Sequence, residues 1–389
     1  MTYSLPYICF VAFLLLLSVI QLGFILTDRT RKSLNIIAIV GFVLFIGARG
    51  LIGWDWVHYY TAFEEAVPLQ RFGNYHNWVF NEPGFNFCMS VVKTFTSEFW
   101  IFTFVMTTVN AILLHIFFRR HLEPKYYELG LAVFMIVFGF TLSTDLMRNS
   151  TGLLIFCFAL PYITKRQWYF FFPLVLLGTL FHWSIAPLAL CYFFLHIRFS
   201  LKIWLPIFII ANIIFLAGLP SVSLFIRGAA NLFPETQQEQ ILSYVQNAIY
   251  GKEYGLTFGF LERTSICFLV IFYYHKLVDE NANNILFVNA FFIFVFICLF
   301  CYEFSIFITR FSPLFAFGCW IVYPKIFSHI DKALRPIYWC VLVLLIIIKM
   351  NNLSNNILYR YENKFTSKQL TSYEQRYKVF EANSDKLQH

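Results

Sequence analysis

Residues 3–26 read YSLPYICFVAFLLLLSVIQLGFIL, a run without a charge, and TDRTRK follows at once at residues 27–32. A helix needs about 20 apolar residues to cross the hydrocarbon of a bilayer. This run has that length, with its charges gathered at one end. The pattern of apolar run and short basic loop recurs along the chain. Hydrophobic residues make up 59% of the 389 and charged residues 13%, against roughly 25% charged in a soluble domain. In water such a chain would lack the polar surface to cover its outside, so the bilayer is the solvent that fits.

Twelve apolar segments meet or approach crossing length, near residues 3–26, 34–52, 99–118, 127–147, 150–163, 167–181, 183–197, 202–219, 262–277, 285–302, 305–323 and 337–350. The expected fold is an all-α integral membrane protein of about 12 transmembrane helices. A polytopic domain covers 1–350, with longer loops at about 53–98 and 220–261, and a polar tail occupies 351–389. The tail reads as partly disordered or interfacial. The pair 167–181 and 183–197 is short; as one broken helix it makes eleven spans and inverts everything after it. Basic residues give the orientation. One set of loops holds 14 of the 29, the opposite set holds 8 and the tail holds 7. Loops rich in Lys and Arg stay in the cytoplasm, which places both long loops and both termini outside.

Several function classes lose support. The net charge of +8 comes from short loops between spans, not from a patch that would bind nucleic acid. Most of the nine cysteines lie inside apolar runs and read as small apolar filler; Cys298 and Cys301 form a CxxC in the setting ICLFCY. The start MTYSLPYICF lacks the charged n-region of a removable signal peptide. Inner loops are short, with no phosphate-cradling loop or acidic metal-binding pair for a nucleotide-sugar donor. Asp279–Glu280 reads as a solvated turn.

The informative polar residues gather on the outer side. Arg49, Gly50, Gly53, Asp55, Tyr59 and Tyr60 fall in ARGLIGWDWVHYY. A charge at the bilayer centre costs about 2.5–3.5 kcal/mol, so Arg49 belongs at the boundary, snorkelling to headgroups or lining a wet cavity. Glu82, Pro83 and Gly84 precede FNFCMSVVKTF, an amphipathic helix too short to span, and Glu82 either caps that helix or takes part in chemistry. Arg148 follows Asp145 by three residues, the spacing of a local ion pair. His182 sits in GTLFHWSIAP between two half-length segments. Its ordinary pKa of about 6.5 suits general-base work, though a lone His in apolar surroundings is usually a packing residue. Arg310 lies two helical turns after Glu303, so the two could share a face. Arginine forks suit phosphate oxygens, and a His or carboxylate beside them could deprotonate an attacking hydroxyl.

At these residues the sequence resembles the EpsG family of Wzy-like polysaccharide polymerases. The matching pieces are R-x3-G-x-D-x4-Y at Arg49, Gly53, Asp55 and Tyr60; E-P-G-F at Glu82 to Phe85; M-R-N-S-T-G at Met147 to Gly152, where the family usually shows R-Q-G; L-F-H-W-S at Leu180 to Ser184; and Thr309–Arg310. They cover most of residues 40–320. The resemblance implies a GT-C-like membrane fold and a metal-independent glycosyltransferase without a cofactor. Such an enzyme polymerises polyprenyl-diphosphate-linked repeat units of an O-antigen, capsule or exopolysaccharide at the outer face of the bacterial cytoplasmic membrane. It also implies a flippase and a chain-length regulator as partners besides the membrane lipids. On that basis Arg49, Tyr60, Arg148 and Arg310 bind substrate, His182 is the candidate base, and Asp55 and Glu82 contact sugar or serve catalysis. Two rivals remain from the residues alone. A membrane O-acyltransferase should bring polar inward residues near His182. A lipid-linked-oligosaccharide flippase should carry charges through the spans of two similar halves.

Overall fold

The computed structural model describes residues 2–230, 256–367 and 370–384. Among the described residues the elements are helical, and the one β pairing is an isolated bridge from Arg49 to Asn363. Among the described residues five helices are long and apolar enough to cross a membrane: Leu5–Gly23, Asp28–Gly47, Phe99–His121, Pro124–Thr144 and Lys332–Ser354. Four shorter apolar helices cover Trp168–Thr179, Trp183–Phe194, Leu201–Leu216 and Asn284–Phe300. Each expected apolar segment thus contains helix. Most of the second long loop, 231–255, lies outside the described residues.

The chain forms two compact units, residues 1–190 with 331–389, and residues 191–330. The first contains α1 (Leu5–Gly23), α2 (Asp28–Phe42), α3 (Trp56–Glu65), α4 (Pro83–Phe95), α5 (Phe99–His121), α6 (Tyr127–Phe134), α7 (Phe140–Thr144), α8 (Met147–Thr164) and α9 (Trp168–Thr179). The amphipathic helix expected after Glu82 is α4. It buries Phe85, Met89 and Val92 in a cluster with Tyr59, Phe63, Phe99 and Phe102. Two spans are irregular at the same end. α2 runs into a π turn at Val43–Gly47. α6 and α7 are separated by a kink in which Phe138 takes φ of 66°, a region L side chains seldom adopt. Met135, Ile136 and Val137 are buried there, so the broken backbone is shielded by protein, as irregular backbone in a membrane must be.

α8 and α9 touch through backbone. A Cβ on Gly152 would stand 2.7 Å from the Gly178 carbonyl oxygen, and one on Gly178 would stand 2.8 Å from that of Gly152. Small residues permit this approach between apolar helices. It brings the residues after α9 beside the N-terminus of α8. Beyond α9 the chain breaks at Leu180–His182 and resumes as a 3-10 stretch, Trp183–Leu190, with Pro187 inside; proline lacks the N–H a regular helix would need.

The tail departs from expectation. Leu358, Tyr359, Glu362, Asn363 and Arg376 are all buried. The Ser4 hydroxyl donates to Asn351 Oδ1 (3.2 Å), and the Tyr7 hydroxyl donates to the Tyr359 carbonyl (2.8 Å). The tail's polar groups satisfy the carbonyls that the π turn leaves open. Asn363 Nδ2 donates to Leu44, the Tyr361 hydroxyl to Phe45, and Lys364 N to Ala48. Thr103 serves Gly47 and Arg49 serves Ile46. Unpaired carbonyls at a span's end are costly away from water, so a tail rich in polar side chains is what this irregular helix end calls for.

In the second unit, Trp204 stacks on Phe292 at 4.5 Å. Gly318 lets helix Ala316–His329 approach helix Asn284–Phe300, since a Cβ there would meet Phe291 N at 2.5 Å. Glu303 lies in the turn before helix Ser305–Phe311 and accepts from the Val222 and Ser223 backbone N–H groups. It caps helix Ser221–Ala230 and does not share a helical face with Arg310. Asp279 and Glu280 are exposed to solvent as expected, but they end helix Tyr274–Glu280 and make surface ion pairs, Asp279 with Arg198 at 2.8 Å and Glu280 with Lys325 at 3.2 Å.

Candidate functional site

Arg49 follows the π turn and is folded inward, 4% exposed. Its Nη1 donates to the Ile46 carbonyl at 2.8 Å, and its Nη2 lies 3.2 Å from Met147 Sδ. It does not snorkel to headgroups; buried but for an edge, it borders a cavity. It ties the end of α2 to the start of α8.

Asp145 is the hub of the next layer. Its Oδ1 accepts from Trp54 N at 2.6 Å and Asp55 N at 3.4 Å. Its Oδ2 accepts from the Thr144 hydroxyl at 2.9 Å and the Tyr359 hydroxyl at 2.8 Å. Its carbonyl accepts from the Tyr59 hydroxyl at 2.9 Å. A buried carboxylate is tolerated when its lone pairs are met in this way. Gly53 makes the approach possible: its φ is +93°, and a Cβ there would stand 2.2 Å from Asp145 Oδ1. This is the physical reason for the glycine in the R-x3-G-x-D stretch. The carboxylate that this turn clasps is Asp145, whereas Asp55 offers it a backbone N–H and stands half-buried at the N-cap of α3.

Arg148 does not pair with Asp145. Its Nη1 meets Glu82 Oε2 at 2.7 Å, with side chains 21% and 7% exposed. Its guanidinium lies over Phe80 at 3.9 Å and near Tyr59 at 5.9 Å. Glu82 makes no side-chain cap for α4; its carboxylate serves Arg148 instead. The turn is held by Gly84, whose N–H donates to the Leu180 carbonyl at 2.9 Å and whose missing Cβ would collide there. The E-P-G-F stretch is thereby fixed against the end of α9, two residues from His182.

The neighbouring residue on α8 continues the network. Asn149 Nδ2 donates to Ser184 Oγ at 2.9 Å, and Ser184 Oγ lies 2.7 Å from His182 Nδ1. Ser184 N also donates to that Nδ1 at 3.2 Å. Nδ1 is therefore an acceptor, so the neutral ring carries its proton on Nε2. Among the described residues, Arg148 Nε and Asn149 Oδ1 are buried without a hydrogen-bond partner. Arg148 stands in the first turn of α8, where the helix dipole adds positive potential. The arginine fork, its open Nε–H and the helix dipole suit an anion, whereas the open Asn149 Oδ1 suits a donor such as a hydroxyl.

Of the residues expected to act together, Glu82, Arg148 and His182 join through α8, Asn149 and Ser184, with Arg49 and Asp55 linked behind them. Tyr60 is drawn elsewhere and stacks on Tyr373 of the tail at 4.5 Å. Arg310 belongs to the second unit and is exposed on helix Ser305–Phe311. Asp145, Ser184 and Tyr359 were absent from the expected set. A buried-side acid beside two motifs was the available signal for Asp145; nothing in a polar tail marks Tyr359. Among the described residues, no three His, Cys, Asp or Glu side chains converge to hold a metal ion.

The family model that matches this chain is the EpsG family, over residues 32–367. No curated protein and no solved structure matches it.

Proposed function

The chain belongs to the EpsG family, and from that premise we propose that it polymerises polyprenyl-diphosphate-linked repeat units at the outer face of the bacterial cytoplasmic membrane. An acceptor sugar hydroxyl attacks the anomeric carbon of the donor glycan. The C–O bond to the diphosphate breaks, the lipid diphosphate leaves, and the hydroxyl proton passes to a base. The product is a longer O-antigen, capsule or exopolysaccharide chain on its lipid carrier, made by a GT-C-like enzyme. A flippase would supply its substrate and a chain-length regulator would act on its product.

The observation that carries this reading is the Glu82–Arg148 pair beside the Asn149–Ser184–His182 relay. Arg148, backed by Phe80 and the α8 dipole, is the diphosphate ligand. His182 is its partner as a donor, because both Ser184 groups already occupy Nδ1 and the proton sits on Nε2. Asp55, half-buried at the N-cap of α3, is the carboxylate assigned as the base. Arg310 is proposed as a substrate residue on its motif alone, and Arg49 acts by positioning Met147 and hence Arg148. Both chain ends meet the end of the first unit that holds Arg49, through Ser4–Asn351, Tyr7–Tyr359 and the Arg49–Asn363 bridge. Segments that meet on one face are joined by an even number of crossings, which supports twelve spans over eleven; the loop charges are what support an outer position for that face.

Cells lacking this protein test the reading. One lipid-linked repeat unit without a ladder of longer products is the expected outcome. An intact ladder lacking only acyl groups would make the protein an O-acyltransferase. Repeat units trapped on the cytoplasmic face would make it a flippase.

A further inference from the structure

A cavity of about 240 Å³ opens beside the described network, lined by Arg49, Tyr60, Glu64, Glu98, Trp100 and Tyr373 among others. Its volume corresponds to roughly eight waters at about 30 Å³ each, room for one six-membered sugar ring and little more. The walls come from four separate stretches: residues 49–51 after the π turn, α3, the start of α5, and the tail. Tyr60 and Tyr373 close one side as a stacked pair at 4.5 Å. The tail wall is clasped in place: Glu362 Oε2 accepts from Thr371 N at 2.8 Å, and Arg376 Nη2 meets Glu362 Oε1 at 3.0 Å. Arg49 belongs both to the cavity and, through Met147, to the start of α8.

This chemistry is selective. Exposed carboxylates at Glu64 and Glu98 accept hydrogen bonds from hydroxyl or amino groups and repel anions. Aromatic walls suit the apolar faces of a pyranose, as in small-molecule sites that join apolar lining to a few placed polar groups. A diphosphate would meet two acids here beside an Arg49 already committed to Ile46 and Met147, whereas at Arg148, paired on one side with Glu82, it meets a cation whose Nε–H has no hydrogen-bond partner. We propose that this cavity is a saccharide subsite that holds one neutral or amino-bearing pyranose of the glycan chain, with the tail as one of its walls. The proposal rests on the polymerase reading above. Arg49, shared by the cavity and the α8 start, connects the two, so a glycan held here runs on toward Arg148.

The test uses the full chain in lipid nanodiscs and two probes. One is the oligosaccharide mixture released by mild acid from the surface polymer of the cell the protein comes from. The other is geranylgeranyl diphosphate, which carries the lipid diphosphate and no sugar. Both wild-type probes are expected to bind. The pair E64Q and E98Q together should weaken oligosaccharide binding about tenfold or more, the scale of a lost hydrogen bond to a charged group, and separately Tyr60→Ala, which removes one aromatic wall, should weaken it by a similar factor. Geranylgeranyl diphosphate binding should stay within about twofold. The two carboxylates are exposed, so the double variant keeps the fold. Unchanged oligosaccharide binding in both variants overturns the subsite and leaves the polymerase reading standing. Failure of wild-type protein to bind either probe overturns both.

Discussion

Replacing Gly53 by alanine strikes the Asp145 hub without removing any polar group. Two penalties follow from the geometry. At φ of +93° an L side chain costs about 1–2 kcal/mol. The new Cβ would also lie 2.2 Å from Asp145 Oδ1, so the carboxylate must retreat from the Trp54 N–H that it holds at 2.6 Å. A hydrogen bond to a charged group is worth about 1.5–3 kcal/mol, and the sum is about 2.5–5 kcal/mol. That is a large share of the roughly 5–15 kcal/mol that holds a folded domain together. SDS titration in mixed micelles reads the loss, and a double-mutant cycle with Asp145→Ala isolates its source. Without the carboxylate the collision is gone, so Gly53→Ala should then cost only the backbone penalty. An equal cost in both backgrounds, or wild-type stability of Gly53→Ala alone, would refute the packing argument.

Three further outcomes are expected. Arg148→Lys keeps the charge but loses the fork that spans Glu82 and an anion; polymer should vanish while protein level stays near normal, and full activity would reduce Arg148 to a structural role. With His182 as donor and Asp55 as base, Asp55→Asn should lower the turnover rate by about 10²–10⁴-fold with binding of the lipid-linked unit kept, while His182→Gln, which retains a donor, should lose less. The reverse order would return the base to His182. Burial pushes the Glu362 carboxyl up, but hydrogen bonds from Thr371 and the charges of Arg376 and Arg360 outweigh it and hold the group below its usual range. Its contribution to tail docking is therefore fully present above the ordinary value of about 4.3 and is lost as pH falls through the lowered one. Cleavage of the tail by a protease active across that range should rise below about pH 4 in wild type, and Glu362→Gln should be cleaved readily at neutral pH.

The membrane fold was legible because an apolar run interrupted by basic loops admits few other solutions. Twelve apolar segments each contain helix, and the motif residues Glu82, Arg148 and His182 do converge. What escaped the sequence is pairing across distance. Arg148 stands three residues from Asp145, so the local pair looked natural. The acid it meets is Glu82, 66 positions away, brought there by Gly84 against Leu180. Asp145 in turn bonds Tyr359, 214 positions away. The polar tail reads as disordered or interfacial because polar composition usually means contact with water. Here Asn363, Tyr361 and Lys364 take the place of water at the carbonyls of the π turn. The break at Phe138 and the π turn at Val43–Gly47 leave no pattern in an apolar run, since Phe, Val and Ile serve equally in regular and irregular helix.

The central claim is the joining of lipid-linked repeat units, and reconstitution tests it most directly. Purified full-length protein in liposomes, given lipid-linked repeat units from cells that lack it, should convert them into a ladder of longer lipid-linked glycans. The Arg148→Lys protein should leave them as single units. Single units remaining with the wild-type protein, under conditions where it binds geranylgeranyl diphosphate, would contradict the account.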